Sequence, residues 1–304
     1  MKELIIGTRG SALAMWQARW VADRLETLNP DIQTRIEAIK TSGDVKTQAP
    51  LWQIGGRGLF VKELERALLD RRVDLAVHSM KDLPSLMEPG LVIAAVPRRE
   101  DPRDVLISRH GLPLSDLPRG ARVGTSSSRR RAQLLAYRSD LEIVPLRGNL
   151  DTRLRKAEGE ELDAVVLAAA GLARLGYLER VTEYLAPEVC LPAIGQGALA
   201  IQAATGDGEL LELLLGLDNP EARATTEAER AFMLALGGGC QVPMAAWCRP
   251  ADGELIIDAL VAAPDGSRVI RARERGASGD PAGLGRQAAG TLKSLGAKEL
   301  LLQG

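Results

Sequence analysis

The stretch IIGTRGS at residues 5–11 returns in kind as RVGTSSS at 122–128. Each is a short apolar run, then Gly-Thr, then a small polar turn before a helical pattern. Such a run reads as a buried strand turning into a helix N-terminus. In the first copy the strand covers 3–8 and Ser11 is placed to cap a helix to about Leu28, with Leu13, Trp16 and Trp20 at helical spacing. The turn Thr8-Arg9-Gly10-Ser11 then points backbone N–H groups outward, an arrangement suited to anions. A second matched pair, RVDLAVHSMKDL (72–83) and ELDAVVLAAAGL (161–172), extends the likeness. The two offsets differ, so two similar domains are expected rather than a regular array.

Working outward, a helix is expected over 59–71 with Phe60, Leu64 and Leu68 on one face, and strands over 73–79 and 91–96. Alternation of strand and helix predicts mostly parallel sheets covered by helices. PRREDPRD (97–104) and CLPAIGQGALAIQ (190–202) interrupt the pattern with proline, glycine and charge, and read as two crossings between the domains. Two open sheets joined twice make a clamshell with its ligand cleft at strand ends. The last third differs. Asn219-Pro220 opens a helix and Gly237 ends it. ELIIDALVA (254–262), Pro-Asp-Gly and SRVIRARER (267–275) form a hairpin, and a helix follows from about 282 to 302. The expected class is α/β, two such domains and a small C-terminal α+β domain.

Composition narrows the function. A net charge of −1 over 304 residues argues against a general nucleic-acid binder. Cys190, Cys240 and Cys248 lack Cys-x-x-Cys spacing, and with only His78 and His110 neither a disulfide framework, a metal centre nor a serine–histidine triad is indicated. The start lacks a signal-peptide core and the apolar run 164–173 is too short for a membrane span, so a soluble cytoplasmic protein is expected. Of the 39 basic residues 31 are arginine, whose planar fork grips carboxylates or phosphates.

Several arginines fall at turns. TSSSRRR (125–131) places hydroxyls and three guanidiniums at a helix start, Arg147 ends a strand beside a glycine, Arg153 lies a helical turn further on, and Arg9 and Arg174 occupy comparable turns. Any one could be a surface ion pair; as a set they line the expected cleft for a ligand with several carboxylates or phosphates. Lys81 and Asp82, past a strand end, are either solvated turn residues or a pair serving an anion and a developing cation. Gly237, Gly238 and Gly239 precede Cys240 as a helix stop before a buried thiol, or as a backbone thinned for a large group on sulfur. A non-enzymatic clamshell holding a polyanion is the competing reading; the third domain and the setting of Cys240 weigh against it.

Taken together, TRGSALAMWQ, TSGDVKTQAPLWQIGGRGLFVKELE, DLAVHSMKDLP, REDPRD, GTSSSRRRAQL, LRGNLDTRL, LAAAGLARLG, LPAIGQGALAIQ, AERAFMLALGGGCQVPMAA and LVAAPDGS resemble the porphobilinogen deaminase (hydroxymethylbilane synthase) family, in the family's order and over almost the whole chain. The resemblance implies two periplasmic-binding-protein-like domains forming a cleft, at 1–97 with 198–216 and at 98–197, and a third at 217–304. It implies head-to-tail joining of four porphobilinogens with loss of ammonia, then hydrolysis to hydroxymethylbilane. A dipyrromethane primer would be held by a thioether to Cys240, with Lys81, Asp82, Thr125, Ser127, Arg129 and Arg130 binding it. Arg9, Ser11, Arg147, Arg153, Arg174 and Gln196 would bind substrate and the growing chain, Asp82 would be catalytic, and Asp44 and Arg57 would belong to a lid over 42–58. No metal, nucleic acid or membrane is implied, and a monomer is expected. Arg57 stands where the family commonly has lysine.

Overall fold

A computed structural model describes residues 2–41, 61–237 and 243–302. They fall into two compact units, Met1–Glu100 with Ala198–Arg223, and Asp101–Gly197 with Ala224–Gly304. In chain order the first unit opens with β1 (Lys2–Thr8), α1 (Ala12–Leu28), β2 (Ile32–Ala38), α2 (Lys62–Leu69), β3 (Leu75–Ser79) and β4 (Leu91–Ala95). The second unit supplies β5 (Asp104–Ser108), β6 (Arg122–Gly124), α3 (Ser128–Tyr137), β7 (Glu142–Val144), α4 (Leu150–Glu158), β8 (Ala164–Ala168), α5 (Ala169–Leu175) and β9 (Glu183–Tyr184). The chain returns to the first unit for β10 (Leu199–Ala204) and α6 (Gly208–Leu215). It ends with α7 (Pro220–Ala235), β11 (Met244–Ala251), β12 (Glu254–Ala262), β13 (Val269–Ala277), α8 (Pro281–Leu292) and α9 (Lys298–Leu302).

The two larger sheets have the same plan, β2-β1-β3-β10-β4 and β7-β6-β8-β5-β9. In each, the first three strands are parallel and the fourth runs antiparallel to its neighbours. The mostly parallel sheets expected from the strand–helix alternation are therefore mixed. The reason lies in the crossings. β5 follows the first crossing and β10 follows the second, so each sheet takes its antiparallel strand from a chain segment that has just changed unit. Nothing in the local pattern of either segment carries that direction.

The Gly-Thr of the repeated motif has a packing cause. A Cβ on Gly7 would lie 3.0 Å from Val73 Cγ2, and one on Gly124 would lie 2.8 Å from Leu162 Cδ1. Both glycines let neighbouring side chains sit directly on the strand, while Thr8 and Thr125 are buried beside them. The first core gathers Leu4, Ile6, Val21, Leu25, Leu75 and Ile201. α1 turns Gln17, Ala18, Val21, Ala22 and Leu25 inward. Leu13, Trp16 and Trp20, expected to mark the helix's apolar face, are only half-buried. β2 was not legible as a strand, since it is an edge strand of alternating half-buried and exposed residues.

In the second unit a three-stranded antiparallel sheet, β11-β12-β13, packs with α7 and α8 around Phe232, Ile257, Leu284 and Leu292. The sequence pattern yields the β12–β13 hairpin but not β11. Its tip also docks on α3, with Ala132 and Leu191 buried against Ala245, Leu260 and Ala262. The single helix expected over 282–302 breaks at Gly296, whose φ is +94°.

Candidate active site

Ser127 caps α3 by accepting from the Arg130 N–H at 3.3 Å. This puts Arg129 and Arg130 in the helix's first turn, and both side chains run inward to one carboxylate, Asp104. Arg129 Nη1 donates to Asp104 Oδ2 at 2.6 Å and to the Leu191 carbonyl at 2.6 Å. Arg130 Nε and Nη2 donate to Asp104 Oδ1 at 3.0 and 2.7 Å, and Nη1 donates to the Val166 carbonyl at 2.8 Å. Gln196 Nε2 adds a bond to the same Oδ1 at 2.9 Å, and the Cys190 thiol donates to Oδ2 at 3.3 Å. Asp104 is 0 % exposed and each arginine 6 %. Burial alone would raise the Asp104 pKa, but the two guanidiniums overcome it and hold the carboxyl well below its usual range. The same burial, with Asp104 beside it, pushes the Cys190 thiol up to about 12, so it is an inert donor here. Two cations share one anion, which leaves the cluster with one net positive charge.

Asp104 was missed in the sequence because it sits in REDPRD among charged residues of a crossing, where burial has no local signature. Of the other predicted residues of this unit, Thr125, Arg147 and Gln196 sit on turns, whereas Arg153 lies in α4 and Arg174, expected at a turn, lies in the last turn of α5 because the helix starts directly after β8. Thr125 accepts from Ser127 N–H at 3.2 Å. Arg147 is half-buried and precedes Gly148, and Asn149 caps α4 by accepting from Thr152 N–H at 2.9 Å. Arg153 Nε donates to the Gly148 carbonyl at 2.9 Å, and Arg174 Nη2 to the Gly197 carbonyl at 2.6 Å. Gln196 is 1 % exposed, its amide also donating to the Pro102 carbonyl at 2.7 Å.

In the first unit Arg9 is half-buried at the β1–α1 turn, and Ser11 caps α1 by accepting from Ala14 N–H at 3.3 Å. Lys81 and Asp82 are exposed on the single turn Met80–Asp82 after β3. Beneath them lies a buried polar chain not foreseen from the sequence. His78 Nε2 meets Gln202 Oε1 at 2.9 Å, and Gln202 Nε2 donates to Glu65 Oε1 at 3.1 Å. Burial, aided by the nearby Arg9 charge, lowers the His78 pKa to about 4, so the ring is neutral and donates through Nε2. Asp44, Arg57 and Cys240, with Gly238 and Gly239, lie outside the described residues. On the near side of Cys240, Gly237 leaves α7 at φ +93°, as expected of a helix stop. Lys293 Nζ donates to the Ala235 carbonyl at 2.5 Å and closes the end of that helix.

Among the described residues no cluster of three or more His, Cys, Asp or Glu is placed to hold a metal ion, and no helix is long and apolar enough to cross a membrane. Residues 4–212 match the family model described as porphobilinogen deaminase, dipyromethane cofactor binding domain, and residues 224–294 match the porphobilinogen deaminase C-terminal domain. Porphobilinogen deaminase of Pelotomaculum thermopropionicum is 52% identical over 300 residues, covering 99% of this chain and 96% of that one. That of Geobacillus kaustophilus is 49% identical over 302 residues, covering 99% and 97%. Among solved structures, the periplasmic VFT2 domain of Bordetella pertussis BvgS aligns with a TM-score of 0.42 at 15% identity, over 71% of this chain and 86% of its own. With two family models spanning most of its length and relatives half identical from end to end, the chain belongs to the porphobilinogen deaminase family.

Proposed function

We propose the following division of labour for the reaction of this family, in which the enzyme, a transferase, joins four porphobilinogens head to tail, releases an ammonia at each step and hydrolyses the product to hydroxymethylbilane. The bound dipyrromethane supplies the terminal pyrrole carbon to which the first substrate unit is joined. Cys240 is its attachment point. The observation that carries the reading is the charge left over on the cluster at the start of α3. Asp104 answers one of two guanidiniums, and among the described residues Arg129 Nε and Nη2 donate to nothing. Ser127 Oγ acts as an acceptor in the cap and keeps its own proton. That donor set suits a further carboxylate, and a pyrrole bearing an acetate and a propionate brings two.

Lys81, Thr125, Ser127, Arg129 and Arg130 accordingly hold the primer's carboxylates. Arg9, Ser11, Arg147, Arg153 and Arg174 take those of incoming porphobilinogen and of the lengthening chain. Loss of ammonia from porphobilinogen would leave a cationic methylene, and its joining to the terminal pyrrole would release one proton that the site has to take up. Asp82, an exposed carboxylate with no hydrogen-bond partner among the described residues, stabilises the cation and helps move the proton. Asp44 and Arg57 belong to a covering loop, and 217–304 acts as the domain that presents Cys240. Cys190 and Cys248 are buried, and the enzyme is read as a cytoplasmic monomer. Light scattering at the mass of two chains would overturn the monomer.

The test is intact mass. Wild-type protein is expected to carry a covalent excess of two pyrrole units on the peptide containing residue 240, and Cys240→Ser to lack it. A variant that keeps a stable two-ring addition would move the attachment elsewhere.

A further inference from the structure

The strand exchange between the two sheets raises a question about segment 190–197, which leads from the second unit toward β10. Two buried carboxylates grip it. Asp104 receives the Cys190 thiol and the Gln196 amide, at 3.3 and 2.9 Å. Glu229 of α7, 0 % exposed, accepts from Gly195 N–H at 2.7 Å through Oε2 and from Cys248 N–H at 2.8 Å through Oε1. Leu191 is tied as well: its N–H donates to Gln133 Oε1 at 2.7 Å, and its carbonyl receives Arg129 Nη1 and Gln133 Nε2 at 2.6 and 3.1 Å. Every one of these groups lies in the second unit.

We infer that Asp104 is a positioning residue for the primer, fixing Arg129 and Arg130 and, through segment 190–197 and Glu229, registering them to the helix that leads to Cys240. Asp104 does this by geometry. It draws Arg129 Nη1 inward, which leaves Arg129 Nε and Nη2 on the other side of that fork for a ligand carboxylate, while Arg130, bonded to protein through Nε, Nη2 and Nη1, holds Asp104 in place and adds its charge. A guanidinium without that tether rotates about its own chain and loses the fixed fork on which two-point carboxylate recognition depends. Glu229 adds the second half. It ties α7, the helix that precedes Cys240 in the chain, to the same segment, so α7 and the carboxylate grip are linked by one short, hydrogen-bonded path. Gln196, expected from the family resemblance to touch substrate, acts within this path through Asp104.

The inference rests on Cys240 as the attachment point and on Arg129 and Arg130 as primer ligands, and its test separates the two. Full-length chain made without primer, in a host that cannot make porphobilinogen, is incubated with porphobilinogen, and the two-ring mass gain is followed per folded molecule. In Asp104→Asn the Arg charges remain but an amide N–H₂ replaces one acceptor. The rate of mass gain is expected to fall at least tenfold, and kcat per primer-bearing chain to fall with little change in KM for porphobilinogen. Gln196→Ala removes one donor from Asp104 and leaves both arginine bonds, so a smaller fall of about threefold is expected. A carboxylate that only supports the fold would lower the melting temperature and leave both rates per folded, primer-bearing chain unmoved; that result overturns the inference. Should Asp104→Asn fail to fold, Gln196→Ala decides alone, and a wild-type rate there overturns it equally. Failure of the underlying reading looks different: wild type itself would then show no two-ring gain, or Cys240→Ser would show it.

Discussion

Gly266, at the tip of the β12–β13 hairpin, is where the third sheet meets the helix that carries Arg129 and Arg130. Its φ is +76°, and a Cβ there would lie 2.6 Å from the Ala136 nitrogen, 2.7 Å from the Ala132 oxygen and 2.9 Å from the Leu135 carbonyl carbon. All three are backbone atoms of α3, so no side chain can swing aside, and ordinary contact requires a retreat of roughly 0.8 Å. For Gly266→Ala the left-handed backbone costs about 1–2 kcal/mol and the overpacking about 1–3 kcal/mol. Gly253, in the β11–β12 turn, has φ +82° and nothing within 4 Å of its would-be Cβ, so Gly253→Ala carries only the first term. Urea midpoints are the assay, read at equal denaturant slope. Gly266→Ala should lose about 2–5 kcal/mol and Gly253→Ala about 1–2 kcal/mol. Because the hairpin and α3 move together, the first variant should also gain primer more slowly. Equal losses in the two variants would refute the docking argument, since only backbone strain would then be at work.

Below about pH 6.5 an unfolded chain protonates His78 while the folded one, with a pKa of about 4, does not. Stability should therefore drain as pH falls from 6.5 to 4, by about 3 kcal/mol in total, and then level off on this account. Glu65, whose pKa is raised chiefly by burial, works in the opposite sense, so the measurement is the difference in Tm against pH between wild type and His78→Gln; parallel curves would discard the buried-histidine effect. Asp82→Ala should retain the primer by mass and lose roughly 10²–10³ in kcat; an unchanged kcat removes Asp82 from the chemistry. Arg147→Ala should slow turnover about 10-fold to 10²-fold, the worth of a charge-assisted bond, and accumulate enzyme species with fewer added rings. A wild-type distribution of those species would exclude Arg147 from holding the chain.

What the sequence determined by itself is what depends on neighbours along the chain. The Gly-Thr turns, the caps at Ser11, Ser127 and Asn149, the Asn219-Pro220 helix start, the stop at Gly237 and the β12–β13 hairpin are all set within a few residues by hydrogen-bond and φ preferences. The likeness of IIGTRGS to RVGTSSS likewise announced two related sheets, and the ordered family motifs announced the chemistry. Tertiary structure alone decided the direction of β5 and β10, the inner face of α1, and the partners of the arginines. TSSSRRR reads as three cations facing a ligand, yet Arg129 and Arg130 first converge on Asp104, about 25 residues away, with Gln196 arriving from still further along the chain. The physical reason is that caps and turns are satisfied locally, whereas a buried charge must find its counter-charge wherever the fold brings one.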